Sequence, residues 1–117
     1  MSRVLIVDES AESREILRTL LAYRGAVTLE AVQPDQAVVM TELLRPDLIL
    51  FDADCDHSSS GAPTESLQAA ANRNGTPIVI LGTVRGREKR PTSDQIVSKP
   101  YHYGPLIRKI EDLLGAA

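Results

Sequence analysis

Three short runs of unbroken apolar residues constrain the fold most: Val4-Leu5-Ile6-Val7, Leu48-Ile49-Leu50-Phe51 and Pro77-Ile78-Val79-Ile80-Leu81. A strand of four or five residues with no polar face is covered on both sides, and such strands belong to parallel sheets sandwiched between helices. Two further strand candidates are Val27–Ala31 and 95–97. The first alternates apolar with polar residues (Val27-Thr28-Leu29-Glu30), which predicts a strand at the edge of the sheet.

The intervals between these runs carry helical patterns, as repeated strand–helix units require. Ser10 can cap a helix running to about Arg24, with Ile16, Leu17, Leu20 and Leu21 on one stripe and Gly25 at its exit. A second helix is predicted over Pro34–Leu44, with proline in its first turn and Ala37, Val38, Met40, Leu43 and Leu44 at helical spacing before Arg45-Pro46 stops it. A third opens at Thr64-Glu65-Ser66 and ends at Asn74-Gly75; a last one covers 105–114 with Leu106, Ile107, Ile110, Leu113 and Leu114 inward. Residues 82–91 have almost no apolar stripe, so a helix there should be short or absent. The fold class expected is therefore α/β: one parallel five-stranded sheet covered on both faces.

The 117 residues suit a single domain able to fold without staples. With 13 basic and 16 acidic side chains the net charge is -3, so no direct nucleic acid binding and no attraction to an anionic membrane are expected. Cys55 is the one cysteine, in keeping with a reducing compartment. The sequence lacks an apolar run near the roughly 20 residues of a membrane span, and Met1-Ser2-Arg3 runs straight into a strand without a signal peptide's apolar region. A cytoplasmic location is the expectation.

The chemistry-bearing residues follow strand ends: Asp8-Glu9 after the first run, Asp52 after the third strand, Lys99-Pro100 after the last. Ligands of open α/β sheets bind in the crevice outside the carboxyl ends of the strands. Three carboxylates and an ammonium there make a place for a divalent cation and a phosphoryl group. Each residue also has a plain reading. Asp8 or Glu9 alone suits a helix start, and Lys99 alone suits a solvated surface. Agreement among three strand ends favours the site.

These features together resemble a response-regulator receiver domain: Leu5-Ile6-Val7-Asp8-Glu9, Pro46-Asp47-Leu48-Ile49-Leu50-Phe51-Asp52, Gly61 in the following loop, Pro77-Ile78-Val79-Ile80-Leu81, and Val97-Ser98-Lys99-Pro100-Tyr101. The resemblance covers nearly the whole chain. It implies a doubly wound, flavodoxin-like sheet of order 2-1-3-4-5 spanning 1–117 as one receiver-like domain. It further implies that Asp52 accepts a phosphoryl group, that Glu9, Asp52 and the backbone carbonyl of Asp54 hold Mg²⁺, and that Asp8 is a water-mediated ligand or orienting acid. Lys99 would place its charge on the phosphoryl oxygens. The implied partners are a sensor histidine kinase or phosphotransfer protein, and a downstream protein or fused output domain.

Departures from that pattern are informative. Gly82 stands where such domains place a Ser or Thr that donates to the phosphoryl group; Thr83 is adjacent and could substitute only where the chain bulges or has left the strand. Ile96 replaces the aromatic residue three before the lysine, and the short stretch between the fourth and fifth strands implies a shortened or missing fourth helix. Arg85, Arg87, Lys89 and Arg90 read as a solvated loop before a patch for an acidic partner. Asp54 and His57 are candidates for added metal or proton chemistry, though each is also an ordinary loop residue; Cys55 reads as buried, and Tyr101 and Tyr103 as packing at the last helix. Restoring a hydroxyl by Gly82→Thr is expected to stabilise a phosphorylated form.

Three functions remain open on sequence. The first is a phosphoaccepting receiver rather than a turnover enzyme. The second is a pseudo-receiver that serves as a phosphorylation-independent interaction module. The third is a phosphohydrolase of the haloacid-dehalogenase type, suggested by Phe51-Asp52-Ala53-Asp54 but leaving Asp8-Glu9 unexplained.

Overall fold

The computed structural model describes residues 1–82 and 96–115. In chain order the elements are β1 (Arg3–Val7), α1 (Ala11–Ala22), β2 (Val27–Ala31), α2 (Pro34–Leu44), β3 (Leu48–Asp52), a single 3-10 turn (Ala53–Cys55), α3 (Ala62–Arg73), β4 (Ile78–Leu81), β5 (Ile96–Val97) and α4 (Tyr103–Gly115). All strands are parallel, in the order β2-β1-β3-β4-β5. The sheet is the doubly wound, flavodoxin-like one expected, with the alternating strand β2 at an edge. Thr83, Gln95, the basic residues Arg85, Arg87, Lys89 and Arg90, and the shortened or missing helix between the fourth and fifth strands lie outside the described residues.

The three apolar runs are buried on both faces because alternate side chains serve two separate cores. Val4, Ile6, Leu48, Leu50, Val79 and Leu81 pack with Leu17 and Leu21 of α1 and Leu106, Ile107 and Ile110 of α4. Leu5, Val7, Ile49, Phe51, Ile78 and Ile80 pack on the opposite face with Ala37 of α2 and Leu67 and Ala71 of α3. Cys55 is buried in this second core, and Tyr101 and Tyr103 meet edge to face at 5.5 Å against the first. Strand register then lines up the strand ends. Val7 pairs with Phe51, Asp52 with Leu81, and Leu81 with Val97, so Asp8 follows β1 in the row that holds Asp52.

Helix boundaries follow local chemistry: α1 ends at Ala22 and α4 begins at Tyr103, each two residues from the expected bound, and Ile16 of the α1 stripe is exposed; two further departures stand out. Ser10 is extended and its hydroxyl accepts the Ser13 N–H at 3.2 Å, which starts α1 as the sequence suggests. Arg45 turns left-handed (φ 48°) to end α2 before Pro46. Helix α3 begins at Ala62 rather than Thr64: Gly61 adopts φ 75°, Pro63 is tolerated in the first turn, and the Thr64 N–H donates 3.1 Å to Asp56, a carboxylate eight residues upstream. The second departure is on α2, where Leu43 is 76 % and Leu44 40 % exposed, so the apolar stripe drawn through Leu43 and Leu44 does not face the core.

Burial separates two leucines of similar helical placement. Leu17→Ala should cost about 2–5 kcal/mol of unfolding free energy, because Leu17 is fully buried and its removal leaves a cavity, whereas Leu43→Ala should stay within about 0.5 kcal/mol of the parent in urea melts.

Candidate functional site

Asp8, Asp52 and Lys99 converge at the carboxyl edge of β1, β3 and β5. Each acid is fixed by the backbone that follows it. Asp8 Oδ1 accepts the Ser10 N–H at 2.9 Å, and Asp52 Oδ1 accepts the Asp54 N–H at 2.9 Å, the latter opening the 3-10 turn. Short polar side chains that bond backbone two residues ahead make such turns without help from distant residues. Lys99, two residues past β5, brings its Nζ to 2.8 Å from Asp52 Oδ2 and to 2.8 Å from Asp54 Oδ2. Partial burial works against the ammonium's charge, but the two hydrogen-bonded carboxylates outweigh it and hold Lys99 above the usual lysine range. Lys99 is thus a paired lysine, its side chain 34 % exposed, rather than a freely solvated one.

The acids are not equivalent. Asp8 is 3 % exposed, and its carboxyl is raised above the ordinary aspartate range, chiefly by burial and further by the neighbouring Asp52 charge, against the lowering effect of the Ser10 N–H. Its Oδ2 is buried and finds no hydrogen-bond donor among the described residues. Glu9 departs from the expected cluster. Its side chain is 49 % exposed and its Oε2 lies 2.8 Å from His57 Nε2, so it stands at the rim on an imidazole rather than beside Asp52. That hydrogen bond raises the His57 pKa. The Cys55 thiol is pushed up to about 12 by burial and then by the surrounding acids, which leaves it an inert apolar neighbour of the site.

Gly82 closes the site from β4. Its φ is +112°, a conformation that side chains rarely adopt, and its N–H donates 3.1 Å to the Val97 carbonyl. A Cβ there would meet Asp54 Oδ1 at 3.1 Å and Asp54 Cγ at 3.4 Å. Gly82→Thr would therefore bring backbone strain and a tight approach to the Asp54 carboxylate, two costs set against any donor it restores. Thr83, the other candidate donor, lies outside the described residues.

Among the described residues no group of three or more His, Cys, Asp or Glu side chains is gathered closely enough to hold a metal ion. What the fold does bring together is Asp8 with Asp52, and the buried, unpartnered Asp8 Oδ2 beside a second carboxylate fits a hard divalent cation such as Mg²⁺, which takes a few protein oxygens and keeps its waters. The role of the Asp54 side chain was not legible as a contact. The sequence offered it as a candidate for metal or proton chemistry or an ordinary loop acid, and its place on Lys99 depends on residues 45 positions apart.

No protein-family model matches the chain. It is 29 % identical over 96 % of its length to the phosphate regulon transcriptional regulatory protein PhoB of Klebsiella pneumoniae, and 26 % identical over 97 % to protein PilH of Pseudomonas aeruginosa. The chain spans about half (51 %) of PhoB and 98 % of PilH. Among solved structures it is similar to the receiver domain of a Francisella response regulator (TM-score 0.79, 20 % identity, 97 % of each chain). It is also similar to the chemotaxis response regulator CheY4 of Vibrio cholerae (TM-score 0.73, 20 % identity, 97 % of this chain and 98 % of that one).

The imbalance at Asp8 has a measurable sign. With the folded carboxyl raised, the unfolded chain gives up its proton first as pH climbs past about 3.9, so ionisation of Asp8 subtracts stability from there upward. Asp8→Asn, which keeps the acceptor for Ser10 and removes the charge, should raise stability at pH 7 in chelator by on the order of 1 kcal/mol and lose that advantage at pH 3. Thermal melts at the two pH values check this; no gain at pH 7 would contradict the charge imbalance.

Proposed function

From a chain whose sequence relatives and structural neighbours are response-regulator receiver domains, we propose a receiver of two-component signalling that accepts a phosphoryl group on Asp52. The observation that carries this is the 2.8 Å contact of the Lys99 ammonium with an Asp52 carboxylate held at a strand end beside the buried Asp8. The donor is a phosphohistidine on a sensor histidine kinase or phosphotransfer protein. A carboxylate oxygen of Asp52 forms the new P–O bond while the P–N bond breaks, and its electron pair returns to the imidazole, which takes up a proton.

The chain's own residues supply position and charge. The Asp54 N–H orients Asp52 through Oδ1, and Lys99 balances charge accumulating on the transferred oxygens. When bound among the oxygens of Asp8, Asp52, the Asp54 carbonyl and Glu9, with Glu9 released from His57, Mg²⁺ would neutralise the carboxylates and the phosphoryl charge. The protein is a stoichiometric acceptor, not a turnover enzyme, and its signal passes to a downstream protein or a fused output domain. A pseudo-receiver acting as an interaction module is the second reading. It is favoured by Gly82, whose side-chain space is filled by Asp54, and by Ile96 in place of an aromatic residue.

Incubation with Mg²⁺ and acetyl phosphate followed by intact-mass measurement should show a labile gain of one phosphoryl group that is lost in Asp52→Ala. No gain on a folded protein would favour the interaction module; steady phosphate release over many turnovers would favour a phosphohydrolase. Millimolar Mg²⁺ should also raise the melting temperature by a few degrees, and Asp52→Asn should weaken that response.

A further inference from the structure

The Asp54 side chain carries an inference of its own, resting on the reading of Asp52 as acceptor. Lys99 has three N–H donors, and two of them are directed to carboxylates, Asp52 Oδ2 and Asp54 Oδ2, both at 2.8 Å. Asp54 meets the ammonium in the space beside Gly82. A Cβ on residue 82 would stand 3.1 Å from Asp54 Oδ1, a tight approach, and in ordinary contact with Cγ and Oδ2 at 3.4 and 3.5 Å. The acid thus lies against the space over β4 that a side chain at the strand's end would enter. We propose that the Asp54 carboxylate is an internal counter-anion that holds, at Lys99 and over Gly82, the place needed by an oxygen of a tetrahedral anion on Asp52, so that loading Asp52 requires Asp54 to leave.

The two halves of Asp54 differ in a way that suits this. Its N–H is anchored to Asp52 Oδ1, so the backbone stays in place. Its side chain is 54 % exposed and can swing into solvent, at the loss of one partly exposed ion pair. Before loading, two carboxylates share one ammonium. After loading, a multiply charged group on Asp52 would both take the ammonium and repel the Asp54 carboxylate across the same small space. Asp54 is thus a specificity-determining residue that sets how tightly the site accepts a phosphoryl-type anion.

Beryllofluoride, whose beryllium takes a carboxylate oxygen as its fourth ligand, tests this without any transfer step. Titrated with Mg²⁺ into the whole chain and followed by the bound ¹⁹F resonance, it should bind Asp54→Ala about two- to fivefold more tightly than the parent, the range expected for losing one partly exposed ion pair. The difference should shrink in high salt, where such pairs are screened. Asp54→Ala keeps the backbone N–H and carbonyl and touches no core residue, so folding is not at issue. Equal affinity, or weaker binding by Asp54→Ala, would overturn the proposal and make the carboxylate a bystander or a positioning aid for Lys99. Binding by neither protein, or binding that survives Asp52→Asn unchanged, would instead overturn Asp52 as acceptor and the counter-anion role with it.

Discussion

Holding Asp8 and Asp52 side by side at the buried edge of a parallel sheet is the constraint from which the rest of the site follows. Desolvation and mutual repulsion both act against the ionised pair, in keeping with the raised Asp8 carboxyl and its buried Oδ2, which has no donor among the described residues. The sheet cannot relax the repulsion, because Val7 is registered against Phe51 and each acid is tied to the turn after it. Lys99 supplies one positive charge from just past β5 and shares it between Asp52 and Asp54, so among the described residues the carboxylates of the crevice outnumber its ammonium.

Much of the architecture was legible because its signals are local and unambiguous. Apolar runs with no polar face identified β1, β3 and β4 as interior strands, and the alternation in Val27-Thr28-Leu29-Glu30 put β2 at an edge. The same logic located Asp8, Asp52 and Lys99 at one end of the sheet, since parallel strands align their carboxyl ends. What failed was non-local. The start of α3 depends on Asp56 reaching Thr64 from eight residues upstream, and helical periodicity in α2 could not say that Leu43 lies on the side with no partner. Glu9 was grouped with Asp8 because they are adjacent. Yet consecutive residues leaving a strand point to opposite sides, and Asp8 is buried while Glu9 turns out to His57.

The most instructive position is Gly82. By composition it is a missing hydroxyl, a loss of one donor from an otherwise intact constellation. By geometry it is an occupied position: φ of +112° suits glycine, and the space a side chain would take belongs to Asp54. Residues 54 and 82 are thus physically coupled in this chain, the glycine lying against the Asp54 carboxyl that hydrogen-bonds Lys99. A substitution that looks like decay when each position is judged alone becomes a rearranged set of contacts once the three residues are considered as a unit. It also explains why introducing a hydroxyl at residue 82 by itself is not a reversal: the incoming Cβ would have to displace a carboxylate hydrogen-bonded to Lys99 while adopting a backbone conformation that favours glycine. The exposed Asp54 side chain can turn away to make that room, but only by giving up its hydrogen bond to Lys99, so a change at residue 82 is felt at the ammonium.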